Sequence, residues 1–349
     1  MVTTPLALLS VSMLKTRVRR FGGALLRKVG LRKSRPAAGA TFTEAIRARY
    51  GLAPDEEPSD DTERMWVEFS LSSVERGRYA VAAMGGATAF RGKDVLDVGC
   101  AYGGFLVAAR EAGAVSVTGI DVNDDLLALA QLQLADHSVH GKLEHRDITA
   151  PVEDLGHFDI ILCNDVLEHV TEPVTAAANL ASLLDSGGSA FFQIPNGRSI
   201  DFILRDGHYG LFGITLLGRA QAERLWARSY SDSYGVEHYA PLAYYLDIFS
   251  RAGLAVRVIN PLPDDLDDAV VGLSAKFDEL EEQLSGLALE DEELRDELRR
   301  RGAHEIGRFR YLAEIHASSE VAAERDLVAR DLWDTYGLTF WELVGTKVD

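Results

Sequence analysis

Two cysteines, Cys100 and Cys163, are all the thiols in 349 residues. Two cannot complete a structural zinc site by themselves, and they allow at most one disulfide, the lesser alternative. Both are read as small packing residues at the ends of core strands in a reducing compartment. Long apolar runs are also missing. None approaches the roughly 20 residues that cross a bilayer, so a soluble, cytoplasmic chain is expected. Positive charge is the third scarcity: 36 Lys and Arg stand against 54 Asp and Glu, a formal charge of −18. Nucleic-acid binding is driven by clustered Lys and Arg, so this balance excludes DNA or RNA as the default partner.

What basic charge there is crowds at the start. The first 43 residues hold nine basic side chains and no acid, which leaves about −27 on the remainder. Among these cations Leu14, Val18, Phe21 and Leu25 recur at helical spacing, the pattern of a helix lying on anionic lipid, here at the inner face of a membrane through residues 1–35. Gly22-Gly23 interrupts that helix, so the competing reading is a solvated extension or an arm that neutralises the acidic body. Leu6 to Leu14 precedes the charges, the reverse of a secretory signal.

Composition is otherwise that of a globular protein, 47% apolar and 26% charged, in a chain long enough for one large domain with embellishments or for two. Its organising stretch is Lys93 to Phe105. Val95, Leu96 and Val98 form a short apolar run that stops at glycine, as a buried parallel strand does before a tight turn and a helix. A dinucleotide site needs glycine at the first, third and sixth positions of that turn; here they are Gly99, Ala101 and Gly104. The Ala101 methyl hinders approach of a pyrophosphate, and Asp97 would set a carboxylate beside phosphates. A ligand with a sulfonium and an ammonium reverses the sign of that interaction.

Asp97-Val-Gly-Cys-Ala-Tyr-Gly103 therefore resembles the first motif of class I S-adenosylmethionine-dependent methyltransferases. Four further segments match that family in order. They are Val115 to Asp121; Glu144 to Ile148; Phe158 to Val170, which contains Asn164, Asp165, Glu168 and His169; and Leu183 to Gly188 with the strand to Asn196. The resemblance covers residues 91–197. It implies an α/β fold, a doubly wound, seven-stranded, Rossmann-like sheet whose last strand runs antiparallel between the fifth and sixth, and S-adenosylmethionine as cofactor. It also implies roles. Asp97, Gly99, Cys100, Ala101 and Gly103 would form the cofactor loop, and Asp121, with Val122 beside it, would take the ribose hydroxyls. Asp147 would accept the adenine amino group, Ile148 would cover the ring, and Asn164 and Asp165 would stand beside the methyl group.

Around this core the chain divides into a basic extension (1–40), a helical region (41–90), the catalytic domain (91–262 with 338–349) and a helical insertion (263–337) before the last strand. In the helical region Met65, Trp66 and Phe69 share a face, read as cover for the sheet rather than a lid. Residues 196–239 crowd His208-Tyr209, Trp226, Tyr230, Tyr234 and His238-Tyr239 into a segment with little strand character. Inserted after the fifth strand, it is where such enzymes build an acceptor pocket, and rings with polar edges suit a sugar or other polyhydroxylated acceptor. Ile194-Pro-Asn196 followed by His208-Tyr209-Gly210 resembles methyltransferases of bacterial surface-polysaccharide pathways. In the helical insertion Phe277, Leu280, Leu284, Leu287, Leu294 and Leu298 step by threes and fours, with Asp291 in one apolar slot. That is a coiled-coil-like helix, with a second folding back after Arg299-Arg-Arg-Gly302. The hairpin is expected to pair two copies of the chain or cap the acceptor site; the plainer alternative is that it packs on its own domain.

Methyl transfer to a hydroxyl needs the acceptor placed and its proton removed. His169 has the right intrinsic pKa. Glu168 is adjacent but would diverge by about 100° at a helix start, and His208 and His238 are the alternatives. A Glu/His pair with further histidines could also hold a divalent metal, but no spacing among them is a strong ligand signature, and no metal ligands are assigned. The rivals are a nucleotide-linked oxidoreductase and a non-catalytic scaffold with a vestigial cofactor site.

Overall fold

The computed structural model describes residues 36–37, 39–59, 61–230 and 234–348. The membrane-surface helix expected in residues 1–35 lies outside them. Among the described residues no helix is long and apolar enough to cross a membrane.

Four helices come first: α1 (Phe42–Arg49), α2 (Asp61–Leu71), α3 (Ser73–Ala83) and α4 (Ala87–Phe90). Strands and helices then alternate as β1 (Asp94–Val98), α5 (Gly104–Glu111), β2 (Ser116–Asp121), α6 (Asp124–Asp136), β3 (Lys142–His145), β4 (Phe158–Asn164), α7 (Pro173–Leu183) and β5 (Leu184–Pro195). The segment after β5 holds two short helices, α8 (Ile200–Leu204) and α9 (Arg219–Trp226), before α10 (Leu242–Arg251) and β6 (Leu254–Val258). The insertion is α11 (Leu266–Ser285), α12 (Glu292–Ser318) and α13 (Ala322–Leu332), and β7 (Phe340–Lys347) closes the chain.

The sheet order is β3-β2-β1-β4-β5-β7-β6, with β7 antiparallel to both neighbours. The expected topology is therefore the one observed. Its central strands are buried on both faces because successive side chains point to opposite sides. Leu96, Ile161, Cys163 and Phe192 pack toward α7 and α10. Val95, Ile160, Leu162 and Phe191 pack toward α3 and α5. Both cysteines are free and buried, as their placement at strand ends suggested.

Two glycines set how closely α3 crosses α5. A methyl at Gly77 would lie 2.7 Å from Phe105 Cα, and one at Gly104 only 2.3 Å from the Ser73 carbonyl carbon. This near-contact of backbones carries Arg76, the residue before Gly77, to the carboxyl end of the sheet. On α2, Trp66 and Phe69 meet edge to face at 5.8 Å, and Phe69 lies under the Arg76 guanidinium, 3.6 Å from its ring centroid.

The helical insertion departs from expectation in where it turns. Asp291 is the N-cap of α12, its side chain accepting the Leu294 amide at 3.1 Å. It begins the second helix rather than occupying an apolar slot within the first. Gly302, expected in the turn, lies inside α12, where a methyl would meet Leu284 Cδ1 at 2.3 Å. A glycine at a close helix crossing and a glycine in a turn look alike in sequence. The apolar stripe that suggested a dimer is used within the protomer: Phe277 stacks on Phe309 at 4.0 Å, and Leu280, Leu284 and Ile306 are buried with them against α8 and α13. Asn196 ties the segment after β5 to the approach to β7. Its Nδ2 donates to the Thr335 and Leu338 carbonyls at 2.9 and 2.8 Å.

Candidate active site

The turn after β1 is shaped by backbone. Gly99, Ala101 and Gly103 have φ of 69°, 42° and 75°, and the amides of Gly99 and Cys100 both donate to the Ile120 carbonyl, at 2.9 and 3.0 Å. A methyl at Gly99 would stand 2.4 Å from Val166 Cγ2, so both conformation and space demand glycine there. Ala101 holds a left-handed conformation that costs about 1–2 kcal/mol, and its amide donates to Asp121 Oδ2 at 2.9 Å. Cys100 contributes backbone to this turn; its thiol is buried in the core, so the sulfur faces away from the loop.

The carboxylates gather where the strands end. Asp121 accepts the Asn123 amide on Oδ1 at 2.9 Å, opposite the bond from Ala101. Burial raises its carboxyl against the pull of those amides. Asp97 is buried with Oδ2 unpartnered. Burial first, and then Asp121, push its carboxyl well above the usual range, while Arg76 works the other way. Arg76 donates to the Phe69 carbonyl at 3.2 Å, and its buried Nε has no partner. Sequence reasoning missed Arg76; the available signal was the helical glycine that follows it.

At the β3 end Asp147 is exposed and folded onto its own turn, Oδ1 accepting the Thr149 amide and hydroxyl at 2.8 and 2.7 Å. Ile148 is buried in the core, whereas Val122 is 60% exposed and is the apolar surface at that edge. At the β4 end Asn164 has Nδ2 and Oδ1 both buried without partners, as is Asp165 Oδ1. Asp165 sits at φ 53°. Burial and then Glu168 push its carboxyl up to about 7, opposed by His208 and Arg76.

Beyond Asp165 no helix begins. Leu167–His169 form a turn, and α7 starts only at Pro173. This corrects the expectation that Glu168 and His169 diverge. His169 Nε2 lies 3.5 Å from Glu168 Oε1, and its Nδ1 is 2.8 Å from the Gly235 carbonyl. From the segment after β5, His208 brings Nε2 to 3.4 Å from the same Glu168 oxygen. The two imidazoles meet edge to face at 5.1 Å. At these separations the contacts are electrostatic rather than hydrogen-bonded, and both Glu168 oxygens are buried without a hydrogen-bond partner. Burial alone would lower the His208 imidazole, but Asp206 and Glu168 outweigh it and hold it up to about 10.

Asp206, also missed in the sequence, builds the loop that presents His208. It accepts the amides of His208 and Tyr209 at 2.9 Å each and that of Leu211 at 3.3 Å. An Asp-Gly-His-Tyr-Gly run is a turn signal of this kind. Tyr239 Oη is 3.0 Å from His208 Nδ1. His238 flanks the cluster with its Nε2 buried and unpartnered; burial lowers its imidazole. Tyr209 lies 5.8 Å from the His208 ring and packs against Trp226 at 4.2 Å, and Trp226 stacks on Tyr230 at 3.7 Å. Those rings pack with Tyr234 as the core of their own layer.

The carboxyl edge of the sheet thus presents Asp97, Asp121, Asp165 and Glu168 around the Arg76 guanidinium, with unpartnered buried atoms on Asp97, Asn164, Asp165 and Arg76. Such atoms are costly unless a polar ligand completes them. An excess of carboxylates around the Arg76 guanidinium fits a sulfonium and ammonium accompanied by one carboxylate, the charged groups of S-adenosylmethionine.

About a third of the chain is similar to curated relatives named ubiquinone biosynthesis O-methyltransferase: the Coxiella burnetii (strain Dugway 5J108-111) protein is 37% identical over 106 residues, 30% of this chain and 45% of that one. The Bordetella avium (strain 197N) protein is 38% identical over 122 residues, 34% of this chain and 48% of that one. The chain spans about half the length of these relatives. An S-adenosylmethionine-dependent methyltransferase structure from Mesorhizobium loti superposes with a TM-score of 0.44 at 18% identity, covering 77% of this chain and 96% of that one. The family described as "Methyltransferase domain" matches residues 77–258, just over half of the chain. With its sheet order and acidic strand ends, the chain belongs to the class I S-adenosylmethionine-dependent methyltransferases.

Proposed function

We propose that this protein transfers the methyl group of S-adenosylmethionine to a hydroxyl oxygen of a small polyhydroxylated molecule, of sugar or glycan type. The observation that carries the reading is the Glu168–His169–His208 cluster, in which Glu168 and His169 follow the β4 residues expected beside the methyl group and His208 reaches them from the segment after β5. When bound, the cofactor supplies an electrophilic methyl whose departure needs no proton. Asp97 and Arg76 would hold its amino-acid end, Asp121 a ribose hydroxyl, and Val122 the edge of the adenine. The turn after β1 excludes water by close backbone approach. The Glu168–His169–His208 cluster would orient the acceptor hydroxyl and draw off its proton, a contribution of about 10²–10⁴ in rate for such groups. Support for oxygen as the target comes from the curated relatives, whose names describe O-methyltransferases. With the aromatic rings packed on each other, polar contacts from His208, His238 and Tyr239 are what favour hydroxyl-rich acceptors. The test is incubation of the purified protein with methyl-labelled S-adenosylmethionine and cell-envelope extract or a panel of sugars and catechols. Label in an alkali-stable methyl ether supports the reading, and label in an amine, a carboxyl ester or nothing overturns it.

Asp97 makes cofactor affinity pH-dependent. Its raised carboxyl keeps a proton at pH values where an ordinary aspartate has lost it, and a cationic ligand must displace that proton. Affinity for S-adenosylmethionine is therefore expected to rise with pH until Asp97 ionises in the free protein, with release of up to one proton below that point. Calorimetry in two buffers of different ionisation enthalpy measures this. Asp97→Asn should flatten the profile and weaken binding; a wild-type affinity indifferent to pH would contradict the assignment.

A further inference from the structure

We propose that Glu168, His169 and His208 bind a divalent transition-metal cation at the acceptor side of the cleft. One ligand atom from each of the three lies within 4.8 Å of the others. Two edges of this triangle, 3.4 Å from Glu168 Oε1 to His208 Nε2 and 3.5 Å to His169 Nε2, are too long for good hydrogen bonds. They are close to the separation of about 3.0–3.4 Å between neighbouring ligands on a metal with bonds of about 2.1 Å.

The far sides of the rings are arranged to match. His169 Nδ1 faces the Gly235 carbonyl at 2.8 Å. A carbonyl only accepts, so Nδ1 carries a proton, which in the neutral imidazole leaves the Nε2 lone pair turned toward a carboxylate. Lone pair against carboxylate is repulsive until a cation comes between them. His208 Nδ1 lies 3.0 Å from Tyr239 Oη and 3.6 Å from Asp206 Oδ1, and Asp206 is itself fixed by three backbone amides. A metal-bound imidazole typically has its other nitrogen held by a carbonyl or carboxylate in this way. The third ligand, Glu168, is 0% exposed with neither oxygen hydrogen-bonded.

Two imidazoles and a carboxylate favour manganese, iron, cobalt, nickel or zinc over calcium or magnesium. Three protein ligands leave coordination positions open, and His169 is exposed enough for an acceptor oxygen to reach them. A hydroxyl bound there would become more acidic, which deepens the proposed function of the cluster and rests on it for that role; the binding itself does not. The sequence offers a Glu/His pair with further histidines but no ligand spacing, because two ligands come from the turn after β4 and the third from the segment after β5, 39 positions later.

The test uses the full-length chain without a histidine tag, stripped with a chelator and titrated with Co²⁺, read by equilibrium dialysis and by ligand-field absorption. One Co²⁺ per chain is expected. His169→Ala and His208→Ala should each abolish the absorption band, and Asp206→Asn should weaken binding by about 10- to 100-fold. His145→Ala, a surface histidine paired with Asp124, should change nothing. Circular dichroism checks the fold of each variant, and Tyr239→Phe replaces Asp206→Asn if the latter fails to fold. Absence of stoichiometric Co²⁺, or equal binding by folded His169→Ala and His208→Ala, overturns the site. Cobalt binding without methyl transfer to any acceptor would overturn the O-methyltransferase reading and leave the metal site standing; transfer without cobalt binding would do the reverse.

Discussion

Glu168→Gln is expected to slow methyl transfer by about 10²- to 10⁴-fold, the range for losing a group that moves the acceptor's proton, with the affinity for S-adenosylhomocysteine almost unchanged. The substitution keeps the shape of a fully buried side chain and removes the charge shared by His169 and His208. Cofactor affinity is predicted to survive because Asp97 and Asp121 sit on other strands, β1 and β2. Steady-state kinetics with the acceptor found by label transfer, alongside calorimetry with S-adenosylhomocysteine, separates the two effects. A variant that loses the nucleoside while retaining kcat would move Glu168 from the acceptor to the cofactor.

The largest loss of stability is expected from Gly104→Ala. Its added methyl would meet backbone, 2.3 Å from the Ser73 carbonyl carbon, and backbone cannot yield as the tip of a side chain can. Overpacking of a well-filled core costs about 1–3 kcal/mol and sometimes more, and this contact belongs at or above the top of that range. Because the same crossing carries Arg76 to the cofactor end, affinity for S-adenosylmethionine should fall as well. Gly307→Ala is the control. It lies on the exposed side of α12 with nothing near the new methyl and should stabilise by about 0.5–1 kcal/mol through helix propensity. Denaturant titrations of both variants measure the contrast, and a Gly104→Ala protein as stable as the parent would refute the close α3–α5 crossing.

The sheet was legible because of how its strands are buried. Strands covered on both faces read as apolar runs, and each stops at a residue that must face the cleft: Asp97, Asp121 and Asn164 are the polar punctuation of those runs. Segments whose geometry depends on distant contacts were not legible. Nothing local shows that the chain after Asp165 turns instead of coiling into a helix, yet that turn decides whether Glu168 and His169 converge. Arg76 reaches the site only because two glycines, 27 positions apart, let two helices touch. Likewise Trp226 and Tyr209 have the composition of a binding surface, and only their mutual packing shows that they support one.

The place of β7 also governs how this protein is made. β6 joins the sheet only through β7, and β7 begins at Phe340, whereas β5 ends at Pro195. At ribosomal rates of about 5–20 residues per second, roughly 7–30 s separate the two. Throughout that interval the growing polypeptide carries β5 with an open hydrogen-bonding edge, the kind of surface that recruits stray strands. The helical insertion is synthesised in the same window, and Asn196 waits for carbonyls that emerge after it. Nascent chains stalled between those points are where a chaperone would find its substrate.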